Sequence, residues 1–162
     1  MMAGLRIIAV AAVACASLAS AAHADWLTPR QGARLLASMK RAGFPNGTKP
    51  YNPSKHEADG ARVNYVGRLH AGGASFKIYY YEYNDPKTLH GAHMLLVMTP
   101  ADKYLGGYYV NEDAVPVAIK GADVLFNSAA KDGKRIHFGA GGPPEHAWID
   151  GENPDFSRPE VR

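Results

Sequence analysis

Residues 63–83 read VNYVGRLHAGGASFKIYYYEY, and this stretch decides the fold. Two runs rich in β-branched and aromatic residues, 63–70 and 75–83, flank the dipeptide Gly72-Gly73. Two adjacent residues that accept positive φ, set between two such runs, are a strong signal for a two-residue β-hairpin. The stretch therefore predicts a long antiparallel hairpin.

A tight turn at Gly72-Gly73 fixes the register of this hairpin, because side chains alternate between the two faces of a strand. One face is predicted to be core, with Gly67 opposite Ile78. It carries Val63, Tyr65 and Leu69 against Phe76, Ile78 and Tyr80. The other face is polar and aromatic, and its candidate contact residues are Tyr79, Tyr81, Tyr83, Arg68 and Lys77.

This second face is the candidate binding surface. Tyrosine combines an apolar ring with a polar tip, which suits sugar stacking and protein interfaces. Arg68 is predicted opposite Lys77, and like charges across a hairpin are destabilising unless an anion or a carboxylate relieves them. The face therefore predicts a protein or glycan partner. The structural alternative is that these tyrosines line a half-buried sheet face or a barrel interior, since tyrosine favours strands.

Outward from the hairpin, short strand patterns continue to residue 150, with turn signals between them. On the other side, Thr28-Pro29 has the form of a helix start, and apolar residues recur at helical spacing up to residue 42. The predicted fold is mainly β, an antiparallel meander forming a small barrel or sandwich, preceded by one N-terminal amphipathic helix. Its parts are a helix and linker (25–62), a β domain (63–150) and a polar, frayed C-terminal tail (151–162).

Residues 1–24 have the pattern of a secretory signal peptide. Arg6 precedes an apolar run, and Ala22-His23-Ala24 is a small-x-small cleavage site. The run is short for a membrane span, and the sequence before Cys15, the only cysteine, departs from a lipobox, so cleavage is favoured over lipidation at Cys15. We expect a periplasmic or secreted chain that keeps no membrane span after signal cleavage and has no thiol.

The net charge and the motifs of the chain disfavour two classes of function, nucleic-acid binding and catalysis. The net charge of +3 falls to +2 when Arg6 is removed, which gives no electrostatic footprint for nucleic acid. Ser128-Ala129-Ala130-Lys131 matches an S-x-x-K form, but its partner elements are absent and it leads into a turn. With no other nucleophile motif recognised, an enzyme is less favoured than a binding domain, and no cofactor is expected.

Histidines offer a second interpretation. His90, His93, His137 and His146 are candidate ligands for a transition metal such as zinc or copper. The main hypothesis is an exported, non-enzymatic binding or inhibitor-type module of the bacterial cell envelope that recognises a protein or glycan. The alternatives are a periplasmic metal-binding protein or small metallohydrolase, and a barrel that carries a small ligand. The oligomeric state is not encoded in these patterns.

Overall fold

The computed structural model describes residues 26–44, 60–84, 91–127 and 133–159. Within these ranges the chain forms one helix and seven strands. The predicted signal peptide with Cys15, most of the predicted linker, His90 and the S-x-x-K segment lie outside them.

The predicted N-terminal helix is confirmed as α1, Pro29–Arg41. It begins in a capping box. The Oγ1 atom of Thr28 accepts a hydrogen bond from the backbone N–H of Gln31, and the Gln31 side chain accepts one from the backbone N–H of Thr28. These reciprocal bonds satisfy donors that a helix start leaves unpaired, and Pro29 supplies a preset φ. The buried residues of the helix lie at helical spacing: Gly32, Leu35, Leu36 and Met39.

The strands form two antiparallel sheets, each a meander in chain order, as the sequence predicts. Sheet 1 comprises four strands: β1 Gly60–Ala71, β2 Ala74–Asn84, β3 Gly91–Met98 and β4 Tyr104–Val110. Sheet 2 comprises three: β5 Val115–Lys120, β6 Asp123–Asn127 and β7 Arg135–His137. The hairpin turn has φ of +56° at Gly72 and +79° at Gly73, as a type I′ turn requires.

Sheet 1 is buried on both faces. One face packs against sheet 2 and the C-terminal segment, and its core includes Leu69, Ile78, Leu95, Val124 and Phe138. The other face packs beneath α1, and its core includes Leu35, Met39, Tyr81, Leu96 and Tyr104. The described residues therefore form three layers, with sheet 1 in the middle.

A β-bulge in β1 corrects the predicted alignment of the hairpin. From Gly67 onward the register is as predicted, with Gly67 opposite Ile78. Before it, Val66 is an extra residue, so Val63 lies opposite Tyr81 and Tyr65 opposite Tyr79. One inserted residue moves every earlier side chain to the other face. Val63 and Tyr65 consequently share the face of the tyrosines, and their predicted place on the face of Ile78 is wrong.

The C-terminal segment is ordered against sheet 1 up to Pro159, so the predicted frayed tail is wrong over residues 151–159. Ser157 exchanges two backbone hydrogen bonds with Gly107 of the edge strand β4, at 2.9 and 3.0 Å. Phe156 is buried and its ring lies 5.1 Å from that of Tyr108. The segment covers the edge of β4, which a polar composition does not reveal.

Candidate functional site

The tyrosines predicted to form an exposed strip are covered by α1. Tyr81 is 0% exposed and Tyr79 6% exposed, while Tyr83 is partly buried against the same core. The expectation that these residues form an open surface is therefore wrong for the first two. The physical reason is that the apolar side of an amphipathic helix must be buried, and this face of the sheet is the surface that it covers.

Tyr81 is the centre of this helix-covered core. The ring of Phe44 packs edge-on against it at 5.5 Å and likewise against Tyr104. Burial raises the pKa of the Tyr81 phenol above its usual value. Its hydroxyl oxygen has no hydrogen-bond partner among the described residues. Tyr81 thus acts chiefly as a large packing side chain.

Beyond the area that α1 covers, the same face carries Tyr65, Arg68, Lys77 and Asp102, which together we call the hairpin patch. Tyr65 is 37% exposed, and its ring lies 5.1 Å from that of Tyr79. The predicted pairing of Arg68 with Lys77 is confirmed. Arg68 is exposed and forms no ion pair with another described residue. Of the five predicted contact residues, Arg68 is therefore exposed, Lys77 and Tyr83 are half-buried, and Tyr79 and Tyr81 are buried.

Asp102 relieves part of the charge repulsion in this patch, and the sequence did not single it out. Its Oδ1 atom accepts hydrogen bonds from Lys77 Nζ at 2.8 Å and from the hydroxyl of Tyr79 at 3.0 Å. Its backbone carbonyl accepts one from Ser38 of α1 at 2.8 Å. Burial and the bond to Asp102 raise the pKa of Tyr79. Asp102 thus links its turn between β3 and β4 to β2 through its carboxylate and to α1 through its backbone carbonyl.

Asp102 is positioned by backbone geometry that a single sequence shows only indirectly. Its φ is +60°, a left-handed conformation that Asp tolerates better than most residues. The residue closes the turn signal Thr99-Pro100-Ala101-Asp102. That signal marks a turn, but only the folded chain brings the turn beside Lys77.

The candidate metal ligands lie in separate pairs. His93 Nδ1 is 2.8 Å from the hydroxyl of Tyr80, His137 Nδ1 is 2.7 Å from Asp123, and His146 Nδ1 is 2.6 Å from Asp155. Within the described ranges, no three His, Cys, Asp or Glu side chains are grouped so that they could hold a metal ion. The three described histidines therefore give the metal hypothesis no support. The fourth candidate, His90, lies outside the described ranges.

His93 also lines an open cleft of about 490 Å³ at the far end of sheet 1. Most of the side chains that line the cleft are polar. The lining residues are Gly91, Ala92, His93, Tyr109, Val110, Asn111, Glu112 and Asp113. Next to it, burial raises the pKa of Tyr80 to about 12. The ligand-carrier hypothesis requires an apolar cavity lined by tyrosines, and this cleft is not of that kind.

Comparison with known proteins supplies no family for this chain: no family model, curated protein or solved structure matches it. Over the described residues, no helix has the length and hydrophobicity needed to cross a bilayer.

Proposed function

We propose that this chain is an exported, non-enzymatic binding module of the bacterial cell envelope that recognises a protein or glycan through the hairpin patch. The secretory pattern of residues 1–24 supports export. The surface differs from the tyrosine strip that the sequence indicates, because α1 covers Tyr79 and Tyr81. The patch retains the two basic residues of that strip and adds Tyr65.

The observation that carries this proposal is the charge of the patch. Arg68 and Lys77 lie opposite each other across the hairpin, and Asp102 bonds to Lys77 and not to Arg68. The patch therefore keeps one net positive charge, on a guanidinium that can bind a carboxylate or phosphate bidentately. Tyr65 beside it offers an aromatic ring for a sugar or an apolar side chain. A partner with an acidic group next to a ring or aliphatic surface fits both features.

Envelope fractions test this proposal. The probes are peptidoglycan sacculi, as the glycan, and solubilised envelope proteins, each mixed with the mature chain beginning at Asp25. We expect one of the two to bind, and Arg68→Ala to weaken that binding about tenfold, the effect of losing one charge-assisted hydrogen bond. Tyr65→Ala is expected to weaken it as well.

Tyr109→Ala is the matched control, because Tyr109 is also an exposed tyrosine of sheet 1, at 43%, but lies on the opposite edge strand. The control should bind like the parent chain. Equal binding by Arg68→Ala, Tyr65→Ala and the parent would show that the hairpin patch is not the contact surface.

A further inference from the structure

The charged residues on the outer face of α1 are all basic, and they share this face with the uncharged Gln31 and Ala37. These charged residues are all exposed, and we call them the helix stripe: Arg30, Arg34, Lys40 and Arg41. The helix contains no acidic residue. Arg30, Arg34 and Arg41 follow the i, i+4, i+11 spacing, which aligns them along one side over a rise of about 16 Å. The opposite side of the helix is packed on sheet 1.

The placement of the N-terminal charges is unfavourable for the helix itself, whereas Lys40 and Arg41 in the last turn suit the helix dipole. Arg30 lies in the first turn, where the helix dipole favours negative charge, and no acidic residue is present there. Arg30 and Arg34 are a like-charge i, i+4 pair, which destabilises a helix. None of the four stripe residues forms an ion pair with another described residue. The unfavourable positions of Arg30 and Arg34 are not offset by an ion pair with another described residue. Such an uncompensated local cost is typical of a functional surface.

The stripe also concentrates the charge of the molecule on one layer. With histidines neutral, α1 carries a charge of +4, whereas the other described residues sum to −1. Arg68 of the hairpin patch projects from the same face of sheet 1 that α1 covers. The helix layer is consequently the basic side of the domain.

We propose that the helix stripe docks the domain on the headgroup surface of an anionic lipid bilayer. A straight row of cations on a convex helix contacts a flat charged surface along its whole length. Since the apolar side of α1 is buried in the protein, attachment is electrostatic adsorption without insertion, and it weakens as salt screens the charges. This proposal is independent of the hairpin patch and its partner.

Vesicle cosedimentation of the mature chain tests this docking. The probes are phosphatidylcholine vesicles with and without phosphatidylglycerol, at low salt. We expect binding to the anionic vesicles alone. Each basic residue near an anionic surface contributes a similar amount to the free energy of binding. Arg30→Gln is therefore expected to lower the partition coefficient between vesicles and solution about fivefold, and the double variant Arg30→Gln/Arg34→Gln about 25-fold.

The control is Lys134→Gln/Arg135→Gln, which removes two exposed basic residues from the side of sheet 2 and should bind like the parent. Glutamine is a good helix former, so the stripe variants are expected to keep their circular dichroism spectrum. Equal losses in both double variants would mean that only net charge matters and would overturn the assignment to α1. Binding to soluble polyphosphate but not to anionic vesicles would overturn the assignment to a membrane.

Discussion

The tyrosine-bearing face of sheet 1 has two parts with opposite surroundings. Tyr81 lies beneath α1, fully buried and packed on Phe44. Tyr65, on the neighbouring strand, lies outside the area that the helix covers and is 37% exposed. The difference shows that the strand register, with its bulge, assigns a residue to a face, while a separate element of the chain decides whether that face is core or surface.

The largest expected effect is a loss of stability at alkaline pH, which depends on the buried tyrosines as a group. Burial raises the pKa of Tyr79, Tyr80, Tyr81, Tyr104 and Tyr108 above the ordinary value of 10.0. These phenols ionise more readily in the unfolded chain. Their contribution to stability is thus complete below pH 10 and is lost as the pH rises toward 12 and beyond, the folded pKa of Tyr80 being about 12.

The measurement is the free energy of unfolding in urea as a function of pH. We expect a loss of more than about 3 kcal/mol in the alkaline range, because several groups contribute together. Tyr81→Phe keeps the ring and removes one ionisable group, so its stability should decline less steeply. A stability that stays constant above pH 10 would contradict the burial of these side chains.

The next effect compares Tyr81 with Tyr65 directly. Tyr81→Ala opens a large cavity between α1 and sheet 1 and should lower the free energy of unfolding by about 3–5 kcal/mol. Tyr65→Ala alters an exposed side chain and should cost under about 1 kcal/mol. Tyr81→Phe is expected to be close to neutral, because it removes a buried hydroxyl that has no described partner. Similar losses for Tyr81→Ala and Tyr65→Ala in urea unfolding would remove the distinction between the two parts.

The smallest effect concerns Asp102, which links the two parts. Asp102→Asn keeps a residue that tolerates the left-handed backbone and removes the charge that bonds to Lys77. We expect a loss of about 1 kcal/mol, since the carboxylate is 45% exposed and solvent screens the pair. In the background of Arg68→Gln the same change should cost less, because Lys77 no longer faces a like charge. Equal costs in the two backgrounds, measured as a double-mutant cycle, would show that Asp102 does not relieve the pair.

Much of the secondary structure could be predicted because its determinants are local. The sequence pattern predicts strands over 104–110, 115–120 and 123–127, which are the bounds of β4, β5 and β6, and a helix over 29–42, which agrees with α1 within one residue. Turn chemistry and side-chain periodicity fix such elements within a few neighbouring residues. The bulge at Val66 has one sequence signal, the isolated Gly67 in the strand pattern, but this signal does not say which neighbouring residue is the extra one. That glycine has a φ of +153° in the structure, and a Cβ added there would lie 3.0 Å from Ile119.

The candidate site likewise has one part that the sequence predicts and one part that it does not. The pairing of Arg68 with Lys77 follows from the Gly72-Gly73 turn alone, because a two-residue loop sets the register of the residues nearest to it. The carboxylate that relieves this pair comes from Asp102, 25 residues away along the chain from Lys77. A single sequence carries no signal for such a contact.

By itself, the sequence determined the antiparallel meander, the capped amphipathic helix and the charges of the hairpin, all of which depend on residues close together in the chain. Only the tertiary structure decided that α1 covers Tyr79 and Tyr81, that the bulge moves Tyr65 to their face, and that Asp102 joins the helix to β2. These outcomes depend on which surfaces bury each other. The burial of apolar area is non-directional and does not depend on distance along the chain.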